Sequence, residues 1–238
     1  MPLLEQTQHT SKQFDADLEH IRRQILSMGG LVERQIIAAI EALRRNDLQL
    51  FDRIIQDDQR INRLEREIAE QCTNVIARRA PAAVDLRFVM MAFKMITDLE
   101  RVGDEAKKIA LFGRGVLNST RFSASRHAQL KHISALVTEM LCHALDSFAR
   151  LDVESAPENV RRDEEVDALF QGILRQLLTF MIEDPRTISA SLDVIFIAKA
   201  LERIGDHAKN ISESVIYLIK GKDVRHVSIE EIERVAKG

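Results

Sequence analysis

Residues Asp98–Ala110 read DLERVGDEAKKIA, and residues Ala200–Ser212 read ALERIGDHAKNIS. Both hold Leu-Glu-Arg-(Val/Ile)-Gly-Asp, so Glu100 and Asp104 recur as Glu202 and Asp206 at an offset of 102 residues. A helical period of 3.6 places two carboxylates four residues apart on the same side of a helix. A phrase of this length, repeated across the chain, implies that one structural half is used twice. Its paired acids admit two readings, the edge of a metal site or ordinary salt bridging.

Outward from the phrase, apolar residues recur at intervals of three and four and divide each half into three helices. Helix one spans about 15–45, with Gly29-Gly30 inside it; a glycine pair costs roughly 1 kcal/mol per residue against alanine, so a close backbone approach or a bend is expected there. Asn46-Asp47 ends it and caps helix two, about 48–79, and Pro81 separates that from helix three, about 83–112. Residues 113–125, GRGVLNSTRFSAS, concentrate turn formers without periodicity and read as a linker. Helices four (about 126–150), five (about 157–183) and six (about 187–220) repeat the scheme, and Ser228-x-x-Glu231 predicts a short capped helix in the tail. The expected fold is all-α, with two tandem, pseudo-symmetric three-helix bundles packed side by side or end to end. The domains are 1–113 and 126–220, joined by a 114–125 linker and followed by a 221–238 tail.

Composition agrees. The 238 residues include nine Gly, four Pro, one Tyr and no Trp, so turns are few and elements long. The net charge of −3 lacks the basic excess of a nucleic-acid-binding chain. The longest uncharged run, Gln24–Val32, falls well short of the roughly 20 residues a membrane span needs, so membrane contact is expected only through partners. No basic start or apolar leader opens the sequence, and Cys72 and Cys142 form no CxxC, which suits reduced core thiols in the cytoplasm.

On a wheel with Leu99 at zero, the apolar stripe of helix three collects Phe88, Met91, Met95, Val102, Ala106 and Ile109, and Glu100 and Asp104 fall at about 100° and 140°, just past its edge. Gly103 lies inside Glu100, toward the core, where it suits close helix contact rather than ligation. Asp58/Asn62 and Asp163/Asp167 form a second pair in helices two and five, at an offset of 105. If the helices of a half pack antiparallel, their pairs converge into an acidic cluster, which persists only when a cation neutralises it. Arg101 and Arg203 lie at about 200° on the same wheel, too far round to serve. Metal ions are the alternative, and oxygen-only ligands suit Mg, Ca, Mn or iron over a structural zinc built on Cys and His. No Glu-x-x-His occurs, which argues against a ferritin-like di-iron site. His207 could extend the second cluster, although a lone boundary histidine is more often solvated. The run Phe88-Val-Met-Met-Ala-Phe93 reads as core rather than groove. No phosphate loop, nucleophile elbow or HExxH appears, so a catalytic set is not expected.

The doubled LER(V/I)GD phrase, Arg79-Ala-Pro81 leading into Asp85-Leu-Arg87, Met28-Gly-Gly and Asp184-Pro-Arg-Thr-Ile188 together resemble the PhoU family, over nearly the whole chain. That resemblance implies a cytosolic, non-enzymatic adaptor that represses the phosphate-starvation response and restrains phosphate uptake. It implies two partners, the ATPase subunit of a phosphate ABC transporter and a sensor histidine kinase, together with a homodimer. It also implies multinuclear metal sites of Mg, Mn, Fe or Zn. Their ligands would be Asp58, Asn62, Glu100 and Asp104 in the first half, and Asp163, Asp167, Glu202 and Asp206 in the second. Asn62 removes one charge, so the first site is expected to hold metal more weakly. The rival readings are a carboxylate-cluster metalloenzyme and a plain helical scaffold.

Overall fold

The protein is described by a computed structural model over residues 12–117 and 124–237. The described residues form seven α-helices, α1 (Lys12–Arg45), α2 (Leu48–Arg79), α3 (Ala83–Leu117), α4 (Ala124–Arg150), α5 (Pro157–Glu183), α6 (Ile188–Lys220) and α7 (Ile229–Lys237), with one 3-10 turn at Pro185–Thr187. There is no strand among them.

The local chemistry sets the breaks. Asn46 takes a left-handed backbone (φ 56) that ends α1, and the Asp47 carboxylate accepts the Leu50 amide at 3.0 Å to open α2. Asp184 does the same for Arg186 ahead of α6, and Gly221 (φ 68) closes that helix in the left-handed region that favours glycine. In the tail, the Ser228 hydroxyl accepts the Glu231 amide at 3.4 Å, so the expected cap is present at α7.

Helix α3 runs five residues beyond the expected 112, and α4 begins two before the expected 126. The residues of the expected linker that fall between them, 118–123, lie outside the described set. The glycines of this stretch serve close packing rather than a turn. A Cβ on Gly113 would stand 2.5 Å from Phe51 Cζ, and one on Gly115 would collide with the Asp193 carboxylate. Gly29 has the same function in α1, where Leu145 of α4 presses within 2.6 Å of the Cβ position, while Gly30 meets only the end of Arg34.

The two bundles lie side by side and share one continuous apolar core drawn from all six long helices. Their most extensive contact is between the third helices of the two halves, α3 and α6, reinforced by α1 against α4. The α3–α6 seam is antiparallel: Arg87 lies against Gly221, Lys94 against Tyr217, and Phe112 against Phe196. The two copies of the opening phrase therefore cross at the middle of the seam, where the Arg203 guanidinium donates to Glu105 at 3.3 Å. A smaller satellite cluster, Ala156, Ile216, Val224, Ile232 and Val235, pins α7 to the second half.

Candidate functional site

The acidic pairs are brought together in each half, α2 with α3 and α5 with α6. In the first half Asp58 is only 1% exposed, and Lys107 donates to its Oδ2 at 2.8 Å. Asn62 Nδ2 reaches the same oxygen at 3.5 Å. Burial raises the pKa of Glu100, and the charges of Asp104, Glu65 and Asp58 add to the rise while Arg101 opposes it. In the second half Lys209 pairs with the buried Asp163, and Lys199 donates to Glu202 at 2.5 Å. Burial raises both Asp163 and Glu202, and each feels the negative charge of Asp206 and Asp167. The seven carboxylates and Asn62 thus fall in two clusters, and the carboxylates within each repel one another. Asp167 is the most peripheral of its cluster and is solvent-exposed.

The neutralising groups differ from the sequence expectation. Arg101 does fold back, to 3.5 Å from Glu100 and 3.8 Å from Asp104, because a guanidinium on a long flexible stem covers the angular gap that the wheel assigns to its Cα. Arg203 leaves its own cluster and bridges the seam to Glu105. The main neutralisers are Lys107 and Lys209, which the sequence reading did not assign. They stand three residues after Asp104 and Asp206 in the repeated phrase, and that i,i+3 recurrence is the signal that could have found them.

His207 does not turn into the acidic cluster. Its Nδ1 lies 2.8 Å from Asp98 Oδ1 across the seam, and Asn210 donates to the same oxygen at 3.3 Å. Gly103 and Gly205 admit the side chains of α2 and α5, with Ile61 Cδ1 2.9 Å and Val166 Cγ1 3.3 Å from the respective Cβ positions, in keeping with a packing role. Cys72 is fully buried and Cys142 half-buried; both are free thiols raised by burial, to about 12 and about 11. Of the Phe88–Phe93 run, Phe88, Val89, Met91 and Ala92 are core, whereas Met90 is 48% exposed and Phe93 lines a surface cleft.

Each cluster retains oxygen atoms that suit a hard cation. Asp58 Oδ1, Asn62 Oδ1 and Glu202 Oε2 are buried and accept no hydrogen bond. Such orphaned acceptors are costly unless a cation or donor meets them. As the side chains stand, no three His, Cys, Asp or Glu groups among the described residues are close enough to share one ion, and lysine ammonium groups supply the positive charge.

Comparison with known proteins places this arrangement. The family model described as "PhoU domain" matches twice, over residues 25–112 and 130–215, one match in each three-helix half. The chain belongs to the PhoU family. A relative from Pseudomonas putida, named phosphate-specific transport system accessory protein PhoU homolog, is 44% identical over 98% of this chain and 90% of its own length. Another, from Escherichia coli strain K12 and named phosphate-specific transport system accessory protein PhoU, is 42% identical over 100% of this chain and 98% of its own. The crystal structure of PhoU from Pseudomonas aeruginosa superposes with a TM-score of 0.85 at 44% identity, covering 88% of this chain and all of that one. A phosphate transport system regulatory protein PhoU from Streptococcus pneumoniae gives 0.82 at 28% identity, covering 89% and 99%. The PhoU fold of two pseudo-symmetric helical bundles is thus shared along the chain, and no helix among the described residues is long and apolar enough to cross a membrane.

Proposed function

We propose that this chain is a cytoplasmic, non-enzymatic adaptor of phosphate homeostasis. In this reading it lowers expression of phosphate-starvation genes and restrains phosphate uptake by linking the ATPase subunit of a phosphate ABC transporter to a sensor histidine kinase. The observation that carries the reading is end-to-end similarity, above 40% identity, to proteins named as accessory to the phosphate-specific transport system. The surface supplies a physical basis for protein partners or a second copy. Ile188, Leu192 and Phe196 recur every four residues along α6 and are each more than 40% exposed, and Leu86 and Met90 stand at the counterpart positions of α3. Apolar side chains grouped on one face of a helix mark interaction surfaces.

The two acidic clusters would hold divalent cations through Asp58, Asn62, Glu100 and Asp104, and through Asp163, Asp167, Glu202 and Asp206. A bound cation would supply the positive charge that the lysines otherwise provide. Lys107 and Lys209 keep Asp58 and Asp163 compensated without it, and the buried oxygens of Asp58, Asn62 and Glu202 are the acceptors available to it. The lysine pairing equally favours a second reading, in which the clusters are self-neutralised struts of a scaffold. Elemental analysis of protein purified without chelator, beside a Glu202→Ala/Asp206→Ala variant, separates the two: metal that falls in the variant supports the first reading. The adaptor role is tested by deleting the gene, which should raise phosphate-starvation gene expression in high phosphate; unchanged expression refutes it. Co-purification of the transporter ATPase and the kinase, with and without phosphate, tests the linkage.

A further inference from the structure

The internal duplication provides its own control for the α3–α6 seam. At one end, Phe112 stacks on Phe196 with ring centroids 4.7 Å apart, and Gly115 is pressed against Asp193, so the seam is plugged. At the other end the positions related by the 102-residue offset have different chemistry. Lys94 stands at the counterpart of Phe196, Ser214 of Phe112, Tyr217 of Gly115, Glu213 of Leu111 and Asp98 of Ala200. Where the first end has an aromatic plug, this end has an open cleft of about 590 Å³ between α3, α6 and the segment that follows α6. Small-molecule sites commonly run from about 300 to 1,000 Å³.

Charge and hydrogen bonding in the cleft identify what it would take. Arg225 is committed to Asp223, with Nε at 2.9 Å from one oxygen and 3.1 Å from the other, so that pair cancels at the rim. The remaining charged groups of α3 and α6 on the lining are Glu213, Asp98 and Lys94, and Asp98 already holds His207 and Asn210 on its Oδ1, which leaves Glu213 as the carboxyl without a hydrogen-bond partner. Glu213 is 8% exposed and makes no hydrogen bond among the described residues. Burial raises its pKa to about 7, against the pull of Lys209 and Arg225. Tyr217 supplies an aromatic face that already accepts an ammonium, since Lys94 Nζ lies 5.2 Å from its ring centroid. The lining does not suit an anion, because its guanidinium is already paired. Nor does it suit a metal ion, because no three acidic or histidine side chains among the described residues gather to hold one.

We propose that this cleft binds a guanidinium or alkylammonium group, such as an arginine or lysine side chain carries, between the Tyr217 ring and the carboxyl group of Glu213. The occupant would displace Lys94 from the ring and give the buried Glu213 its missing partner. The reading rests on the cleft alone and is independent of the phosphate-regulatory role and of the acidic clusters.

Tyr217 is the sole tyrosine and there is no tryptophan, so ultraviolet emission from the full chain reports directly on this wall. Two probes are titrated: agmatine, and the peptide Gly-Gly-Arg-Gly-Gly with its leucine analogue as control. The expected result is a saturable change in Tyr217 emission with millimolar affinity for at least one guanidinium probe and none for the leucine peptide. Saturation by the peptide alone indicates a protein side chain as the occupant, and saturation by agmatine indicates a small amine; both support the proposal. Glu213→Gln should weaken binding at least about ten-fold, the effect of losing one charge-assisted hydrogen bond. Lys94→Ala, at an exposed position, should tighten it by removing the internal competitor, a gain that general loss of structure would not give. The proposal is overturned if neither probe saturates at tens of millimolar, if the leucine peptide matches the arginine peptide, or if Glu213→Gln binds like the unaltered chain.

Discussion

Replacing Glu213 with glutamine removes a titrating group while keeping the shape of the side chain, and the consequence for stability can be worked out in sign and size. Burial is the largest cause of its raised pKa. Asp163 and Asp223 push in the same direction, while Lys209 and Arg225 oppose, and the value reaches about 7 from an ordinary 4.5. The folded state therefore holds the Glu213 proton more tightly than the unfolded chain does. The stability this contributes is fully present below the unfolded value of 4.5 and is lost as pH rises through about 7. A difference of 7 − 4.5, about 2.5 units at 1.36 kcal/mol each, gives a ceiling of about 3 kcal/mol, and partial solvent screening reduces it to about 2 kcal/mol. Glutamine is indifferent to pH, so Glu213→Gln should match the unaltered chain near pH 4.5 and exceed it at pH 8. At about 2–4 °C per kcal/mol for a chain of this size, the expected gain at pH 8 is about 4–8 °C in unfolding midpoint. Thermal unfolding followed by helical circular dichroism, scanned from pH 4.5 to 8 for both proteins, measures the difference curve. A flat difference curve, or a variant less stable at pH 8, refutes the reasoning.

Other expectations concern packing and the acidic clusters. Gly113→Ala should destabilise by about 1–3 kcal/mol in urea unfolding, because the new methyl meets Phe51 and Leu43 at 2.5 and 3.0 Å. Gly172→Ala, with no atom within 4 Å, should instead stabilise by about 0.5–1 kcal/mol through helix propensity. Lys107→Met leaves the buried Asp58 uncompensated and should cost about 3 kcal/mol, part of it restored by millimolar manganese if the cluster takes a cation. Asn62→Asp restores the acidic pattern of the first cluster, and calorimetric titration should show its cation affinity rising toward that of the second.

The helices were largely legible because each half has long apolar stripes with few interruptions. The bounds of α2 and α5 follow directly from Asp47, Pro81, Pro157 and Asp184. The reach of α3 to Leu117 was not, since Gly113 and Gly115 carry the signature of a turn unless their tertiary neighbours, Phe51 and Asp193, are known. The approach of Asp58 to Glu100, of Asp163 to Asp206 and of Asp167 to Glu202 is legible from spacing and antiparallel packing. The position of the neutraliser is also written in the helical period: Lys107 falls at about 80° on the same wheel as Glu100, on the same side as its partners. Arg101 shows the opposite error, because an angular position at Cα does not limit where a long side chain ends. The cleft at Tyr217 depends on which residues of α3 meet α6, and a single helix's periodicity holds no record of that register.

The crossing of the two phrases bears on how such a chain could arise from a single half. Arg101 is the counterpart of Arg203, and Glu105 is the counterpart of His207. If two copies of the first half met along the seam that α3 and α6 now share, Glu105 of each would face Arg101 of the other, so the Glu105–Arg203 contact would be made twice with matching charge. Two copies of the second half would instead set His207 beside Arg203 and deprive it of Asp98, whose counterpart is Ala200. Along the seam the first half is thus complementary to itself, while Arg203 and His207 of the second half take their partners, Glu105 and Asp98, from the first.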